Sequence, residues 1–181
     1  MTCIVGLEHG GKVWMGGDSA ALHRQTQSLE IRNEPKVFRI GKMLIGFTSS
    51  FRMGQLLEHS LTIPTHPKGK DVTAYLCADF IDSVRKCFER GGFLSRKDGE
   101  ESGGIFLLGY RKKLYVVYHD FQIGSVACGY NACGGGKDLA LGSLHSTAGL
   151  VEDPKRRVVM ALEAASQFSA GVLPPFTIVS A

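Results

Sequence analysis

The chain has 181 residues, 44% of them hydrophobic and 21% charged, and its formal net charge at pH 7 is +4. This length and composition favour one domain with a substantial core. A charge this small, without arginines interleaved among aromatic residues, does not indicate a nucleic-acid-binding protein. No apolar run approaches the roughly 18 residues that cross a membrane, so neither nucleic acid nor membrane is an expected partner.

Cysteine usage indicates a reducing compartment. The five cysteines contain no closely spaced CxxC pair, so a disulfide framework or a zinc cluster is not expected. The six histidines show no paired spacing either, and we predict no metal and no cofactor. The chain begins without a basic segment and a long apolar stretch, so no signal peptide is predicted. A cytoplasmic protein is therefore expected.

The first quarter of the chain predicts two β-hairpins. Thr2–Leu7 and Lys12–Gly17 are short apolar segments, and the four residues between them end in a Gly-Gly turn, which is typical of paired strands. Ser19–Pro35 is polar and is predicted to be a long irregular connection, a kind of segment that is often functional. Lys36–Ile40 and Met43–Thr48 then form the second pair of strands.

The middle of the chain predicts two helices and a further hairpin. Phe51–Leu61 has apolar residues at helical spacing, and Asp71–Arg90 is the clearest helix, with Asp71 as its N-cap. Ser95–Gly104 is charged and glycine-rich, as in a solvated loop. Gly104–Tyr110 and Lys113–His119 are the next two strands.

The last third predicts a strand, two helices and a closing strand. Phe121–Tyr130 is the strand, Lys137–Ser146 and Pro154–Phe168 are the helices, and Phe176–Val179 ends the series. Asp153 and Pro154 suit the cap and first turn of the second helix. The basic triplet Lys155–Arg157 in that first turn is expected to be a solvated face.

Blocks of strands that alternate with pairs of helices favour an α+β fold. Two antiparallel sheets packed face to face, with a helix pair outside each, would cover every apolar face. The sequence therefore predicts a four-layer αββα sandwich.

Thr2 is a candidate nucleophile. If Met1 is removed, Thr2 carries a free amine and a hydroxyl on adjacent carbons, and the amine can act as the base for the hydroxyl. A strand that begins at the terminus would hold these two groups rigidly. Cys3 is a rival nucleophile, but it would require removal of both Met1 and Thr2.

Five short segments resemble the proteasome β-subunits and HslV-type peptidases, which are N-terminal-nucleophile (Ntn) hydrolases with an αββα fold. The matching segments are Thr2–Gly6, Gly16–Asp18, Lys36–Ile40, Leu44–Phe47 and Cys133–Gly136. Each motif is short, but their order and spacing run through the whole chain. The resemblance implies a single Ntn-hydrolase domain over residues 1–181 and a threonine-type endopeptidase.

The resemblance also assigns catalytic roles. Thr2 is the expected nucleophile, and Lys36 would stabilise its developing alkoxide. Asp18 would pair with Lys36 and hold it charged. The backbone N–H of Gly46 would donate to the oxyanion, an interaction typically worth about 3 kcal/mol of barrier. Gly135 departs from the family, because HslV-type enzymes carry a serine at that position.

Two segments are expected to bind the substrate as neighbouring strands. On one side of the bound peptide are Phe47, Thr48 and Ser49. On the opposite side are Ala20, Ala21 and Leu22.

The resemblance further implies partners. These are a peptide or unfolded-protein substrate, other copies of the chain in a homo-oligomeric ring, and an ATP-driven unfoldase. Two alternatives stay open at this stage, because a fold alone does not determine function. One is a non-catalytic ring subunit with the Ntn fold, and the other is an Ntn amidase that acts on a small-molecule amide.

Overall fold

The computed structural model describes residues 2–23, 26 and 28–181. Thirteen strands lie in these described residues. They are β1 (Cys3–His9), β2 (Lys12–Gly17), β3 (Ala20–Leu22), β4 (Leu29–Ile31), β5 (Val37–Ile40), β6 (Met43–Phe47), β7 (Ser95–Lys97), β8 (Glu100–Ser102), β9 (Phe106–Tyr110), β10 (Lys113–Val117), β11 (Ile123–Ser125), β12 (Tyr130–Gly134) and β13 (Thr177–Ser180).

The helices in the described residues are α1 (Phe51–His59), α2 (residues 72–90), α3 (Lys137–Ser146) and α4 (Pro154–Phe168). Three of these four helices begin at polar caps, and α3 begins at Gly136. Ser50, Asp71 and Asp153 each accept a hydrogen bond from a backbone N–H in the first turn of α1, α2 and α4. Helix α2 contains a π-helical segment, Leu76–Phe80. Among the described residues, no helix combines the length and apolar character that crossing a membrane requires.

Two main antiparallel sheets organise the chain. One has the strand order β12-β1-β2-β13, and the other has the order β11-β10-β9-β6-β5. The hairpins β3-β4 and β7-β8 are separate two-stranded sheets. The predicted combination of antiparallel sheets and helices is confirmed.

Three apolar clusters hold these elements together. The first contains side chains from both main sheets, among them Ile4, Met15, Val37, Leu44, Leu107 and Leu114. The second joins the five-stranded sheet to α1 and α2 through residues such as Ile45, Leu57, Phe80, Phe88 and Leu108. The third joins the four-stranded sheet to α3 and α4 through Val5, Leu7, Leu144, Val158 and Leu162. Each fully buried aliphatic or aromatic side chain contributes about 1.5–3 kcal/mol of transfer free energy.

Three segments differ from the sequence prediction. The connection 19–35 contains the hairpin β3-β4, and the charged segment 95–104 contains β7-β8. The predicted strand Phe121–Tyr130 is instead the short β11, followed by β12 at residues 130–134. Strands of three residues are too short to show an alternation of apolar and polar side chains, so periodicity does not detect them.

Arg157 is buried, unlike the solvated face expected for its basic triplet. Its guanidinium donates to the carbonyl oxygen of Leu144 at 2.8 Å and lies 3.4 Å from Thr147 Oγ1. Leu144 lies in the last turn of α3, where carbonyl groups have no partner within the helix. Arg157 therefore ties the start of α4 to the end of α3.

Replacing Arg157 with methionine is expected to destabilise the protein by about 2 kcal/mol, because a buried charged hydrogen bond to a helix end is lost. Urea unfolding measures the change. Arg156→Met is the matched control, since Arg156 is exposed, and its effect should stay within about 0.5 kcal/mol. Equal effects of the two substitutions would contradict the structural role of Arg157.

Candidate active site

Thr2 lies just before β1, against the turn between β12 and α3. Its carbonyl oxygen accepts a hydrogen bond from the Gly136 N–H at 3.3 Å. Gly134 packs directly against it in a left-handed conformation, with φ +97°, and a Cβ there would overlap the Thr2 carbonyl. The exposed Gly135, where HslV-type enzymes have serine, follows in the same turn. Met1 lies outside the described residues, so its removal stays a prediction.

The Lys36 ammonium group contacts the Thr2 hydroxyl. Nζ lies 3.1 Å from Thr2 Oγ1, 2.9 Å from Asp18 Oδ2 and 2.6 Å from the carbonyl oxygen of Ala20. All three ammonium protons therefore have an acceptor. Lys36 sits immediately before β5, and pairing of β5 with β6 fixes its backbone.

Asp18 holds Lys36 from the end of β2. Besides the lysine, its carboxylate accepts hydrogen bonds from the backbone N–H groups of Cys3 and Ala20, each at 2.9 Å. The side chain of Asp18 is 0% exposed and that of Lys36 is 1% exposed. The structure thus brings three of the four predicted catalytic residues into one hydrogen-bonded group.

Burial lowers the pKa of Lys36 from its ordinary value, and the Asp18 carboxylate opposes that shift by attraction and by its hydrogen bond. The net direction is downward, so removal from water outweighs the ion pair. The ammonium form of Lys36 is therefore easier to deprotonate than that of a surface lysine.

The thiol of Cys3 is poorly suited to attack a substrate. The side chain is fully buried, and burial, followed by the nearby Asp18 carboxylate, raises the pKa of Cys3 to about 12. A cysteine acts as a nucleophile in its thiolate form, which is scarce at neutral pH for such a group. The geometry favours Thr2 over Cys3.

A cavity of about 90 Å³ opens beside this group. All six residues expected to bind substrate line it, together with Thr2, Lys36, Ser50 and Phe51. On one wall are Ala20, Ala21 and Leu22 of β3, and on the other are Phe47, Thr48 and Ser49 at the end of β6. The two predicted edges thus face one small space.

Gly46 does not have the position of an oxyanion donor, the role that the sequence resemblance implies for it. It lies within β6, between β5 and β9, paired with Val37 and Leu107, and it does not line the cavity. Its N–H points toward β9, because N–H groups alternate along a strand and that of Thr48 donates to Ile105. A Cβ on Gly46 would lie 2.5 Å from Ile4 Cγ2 and 2.7 Å from Met15 Sδ. The glycine therefore serves the close approach of the two sheets.

Ser49 is better placed to donate to an oxyanion. It lines the cavity, and among the described residues its backbone N–H donates to no acceptor. Its φ of +67° is in the left-handed region, while its hydroxyl accepts from the Ile105 N–H at 3.2 Å. The sequence feature that could have located this residue is the run Thr48-Ser49-Ser50 between a predicted strand and a predicted helix. Small polar residues are frequent at such turns.

Phe51 is a cavity residue that the sequence analysis did not identify. The Arg32 guanidinium lies 4.7 Å from its ring centroid, and Lys36 Nζ lies 5.7 Å from it. These distances are within the range of cation–π contacts. An aromatic residue at the start of a helix gives no sequence signal that separates a cavity wall from a core position.

A metal centre is not evident in the part of the chain that the structure describes. Within residues 2–23, 26 and 28–181, no three His, Cys, Asp or Glu side chains are grouped so that they could hold a metal ion.

Comparison with solved structures identifies the fold. The chain superposes on BPH of Thiobacillus denitrificans in complex with epoxomicin with a TM-score of 0.83 and 16% identity, covering 99% of this chain and 98% of that one. HslV of Trypanosoma brucei matches with a TM-score of 0.68 and 14% identity, covering 99% of this chain and 98% of that one. The helical assembly of the Anbu complex of Pseudomonas aeruginosa matches with a TM-score of 0.68 and 13% identity, covering 99% of this chain and 81% of that one.

These likenesses confirm the fold that the sequence resemblance predicted, that of the proteasome-type Ntn hydrolases. No protein-family model matches the sequence, and no curated protein matches it significantly. At these identities the comparison establishes the fold, while the roles of individual residues rest on the site geometry.

Gly46→Ala is expected to lower the free energy of unfolding by about 1–3 kcal/mol, because its Cβ crowds Ile4 and Met15. Urea unfolding measures this change. Gly142→Ala is the control, since a Cβ at that helical position meets nothing within 4 Å, and it should be neutral or stabilise by up to about 1 kcal/mol. Unchanged stability of Gly46→Ala would refute the packing role.

Proposed function

We propose that this protein is a threonine-type peptidase in which Thr2, freed by removal of Met1, attacks the peptide carbonyl. The observation that carries the proposal is the hydrogen-bonded group of Thr2, Lys36 and Asp18 beside a cavity, within the fold of the proteasome-type Ntn hydrolases. A buried ion pair is costly to desolvate. A buried ion pair that lies within hydrogen-bonding distance of a threonine hydroxyl is more readily explained by catalysis than by packing.

The α-amine of Thr2 acts as the base. Its unperturbed pKa of about 7.7–8.0 leaves a neutral fraction at physiological pH. The amine takes the hydroxyl proton, and Oγ1 bonds to the carbonyl carbon to form a tetrahedral intermediate. The C–N bond then breaks, the leaving amine receives that proton, and an ester on Thr2 remains. Water then attacks the ester carbonyl while the same amine takes its proton. The bond between the acyl carbon and Oγ1 breaks, the carboxylic acid product leaves, and the amine returns the proton to Oγ1.

Lys36 stabilises the charge that develops on Oγ1. It already donates to that oxygen at 3.1 Å, and a fixed cation beside a developing alkoxide lowers the barrier without reorganisation. The positive charge also disfavours protonation of the neighbouring α-amine. Asp18 positions the lysine and offsets part of the cost of burying it.

The carbonyl oxygen of the substrate is bound, in this proposal, by the N–H of Ser49. That group borders the cavity and has no acceptor among the described residues. Gly46 supports the site indirectly, by letting β6 approach β1 and β2. An extended peptide then lies between residues 20–22 and 47–49 as an added strand.

The proposal includes the wider organisation. Residues 1–181 form a single domain, and the three apolar clusters support a four-layer αββα sandwich. Assembly into a homo-oligomer is supported by the Anbu structure described as a helical assembly. An ATP-driven unfoldase stays a prediction from the sequence resemblance.

Incubation of the purified protein with epoxomicin, followed by mass spectrometry of the intact protein, tests whether Thr2 is the nucleophile. An epoxyketone needs both the amine and the hydroxyl of an N-terminal threonine, so we expect loss of Met1 and one adduct per chain. Thr2→Ala should give no adduct and lower peptide hydrolysis at least about 1,000-fold. It should still fold, because Lys36 keeps Asp18 and Ala20 as acceptors.

Thr2→Ser is the matched control. It keeps the amine and a hydroxyl, so it should form the adduct and retain measurable turnover. Met1 retained with no adduct would refute the proposal and favour a non-catalytic subunit. An adduct without hydrolysis of any peptide in a mixed library would favour a small-molecule amidase.

The pH dependence of peptide hydrolysis is expected to be bell-shaped. The acid limb reports deprotonation of the α-amine and should lie below the unperturbed pKa of about 7.7–8.0, because the neighbouring Lys36 charge disfavours the protonated amine. The alkaline limb reports Lys36, whose ammonium form is required. Because burial lowers the pKa of Lys36 below 10.5, activity should fall as pH rises through a value lower than that. A constant rate up to pH 10.5, with the fold intact by circular dichroism, would contradict the role of Lys36.

A further inference from the structure

A second cavity, of about 650 Å³, lies at the end of the sheets away from Thr2. Its rim is formed by the turns of the β1-β2, β5-β6 and β9-β10 hairpins. Strands β2 and β6 run from this cavity, at Lys12 and Met43, toward Asp18 and Phe47 at the other end. Its volume is within the range of small-molecule sites, and nothing in the proposed reaction uses it.

The rim of this cavity is strongly basic. Five cationic side chains line it, namely Lys12, Arg39, Lys42, Arg111 and Lys112. No aspartate or glutamate side chain does, and the one other charged group there is the terminal carboxylate of Ala181 in this structure. None of the five forms an ion pair in the described part of the chain. The adjacent Lys113, by contrast, pairs with Glu8 at 2.9 Å. Five positive charges at one cavity exceed the net charge of the whole chain, +4.

The floor of the cavity is apolar and aromatic. Val13, Met43 and Tyr110 are buried there, and Ile63 and Pro64 form one side. A site with an apolar floor and a cationic rim suits an amphipathic anion rather than a free inorganic ion.

Hydrogen bonds hold the aromatic side of the cavity rigid. The ring of His66 stacks on Tyr75 with centroids 4.2 Å apart and planes 5° from parallel. His66 Nε2 lies 2.8 Å from the carbonyl oxygen of Lys70, and Nδ1 lies 3.0 Å from the Tyr110 hydroxyl. Because a carbonyl can only accept, Nε2 carries the proton and, in neutral His66, Nδ1 accepts from Tyr110. Both ring nitrogens are thereby used, and the wall is ordered before any ligand arrives.

We propose that this cavity binds a small organic polyphosphate with a flat ring, the chemical class of the nucleoside triphosphates. A monoanion could pair with only one or two of these cations and would leave the others repelling one another. A polyphosphate chain can contact several of them, and each arginine can donate to a phosphate with two N–H groups. The ring of the ligand would rest on the apolar floor.

Isothermal titration of the protein with ATP in EDTA, at 0.1 M salt, tests this site. We expect one ATP per chain, bound more weakly as salt rises because screening grows. The double variant Lys42→Gln/Arg111→Gln should weaken the affinity at least tenfold. Lys155→Gln/Arg156→Gln is the matched control, since it removes the same charge from an exposed helix start outside the cavity, and its affinity should change less than twofold.

Tripolyphosphate and adenosine separate the two parts of the ligand. Tripolyphosphate should bind more weakly than ATP, and adenosine should not bind measurably. No heat with ATP at millimolar concentration would overturn the proposal, and so would equal losses in the two double variants. Tripolyphosphate binding as tightly as ATP would overturn the role of the apolar floor. The Thr2→Ala variant should bind ATP with unchanged affinity, so the ATP-binding proposal is tested independently of the proposed peptidase activity.

Discussion

The buried ion pair between Lys36 and Asp18 is the interaction on which the rest of the site depends. Removing two charges from water costs several kcal/mol for each ion, and their attraction offsets this only when further hydrogen bonds satisfy both groups. Here the N–H groups of Cys3 and Ala20 bind the carboxylate, and the Ala20 carbonyl and Thr2 hydroxyl bind the ammonium. The pair thus joins the start of β1, the end of β2 and the start of β3. Losing either charge would leave the other buried and unpaired, whereas the Thr2 hydroxyl can be removed without that penalty.

Close approach of the layers is the second constraint, and glycines in mid-strand meet it. A Cβ on Gly16 would overlap Val158 of α4, and one on Gly17 would lie 2.9 Å from Ile4 Cδ1. Gly46 faces the same inter-sheet cluster. Each of these positions requires glycine because neighbouring side chains already occupy the space that a Cβ would fill.

Much of the fold could be predicted from the sequence because long elements carry strong periodicity. The helices Lys137–Ser146 and Pro154–Phe168 have the predicted bounds, and the strand Lys12–Gly17 does too. The hairpin β3-β4 could not be predicted, since three-residue strands carry no period. Thr2, Asp18 and Lys36 were grouped correctly from the family motifs. Burial of Arg157 was missed because helical position alone does not distinguish a solvated arginine from one that caps a neighbouring helix.

The position of the proposed oxyanion donor, Ser49, follows from how a central antiparallel strand uses its backbone. Inside β6 every N–H is directed at β5 or β9, so a free donor must lie beyond the last ladder bond, which Thr48 makes to Ile105. Ser49 comes next, and its left-handed φ of +67° takes the backbone out of the sheet direction. A non-glycine residue in that region costs at least about 1 kcal/mol. The hydroxyl of Ser49 offsets this by accepting from Ile105 and contacting Thr48 Oγ1. The left-handed backbone thus leaves the Ser49 N–H beside the cavity without an acceptor among the described residues, which supports the donor role proposed for Ser49.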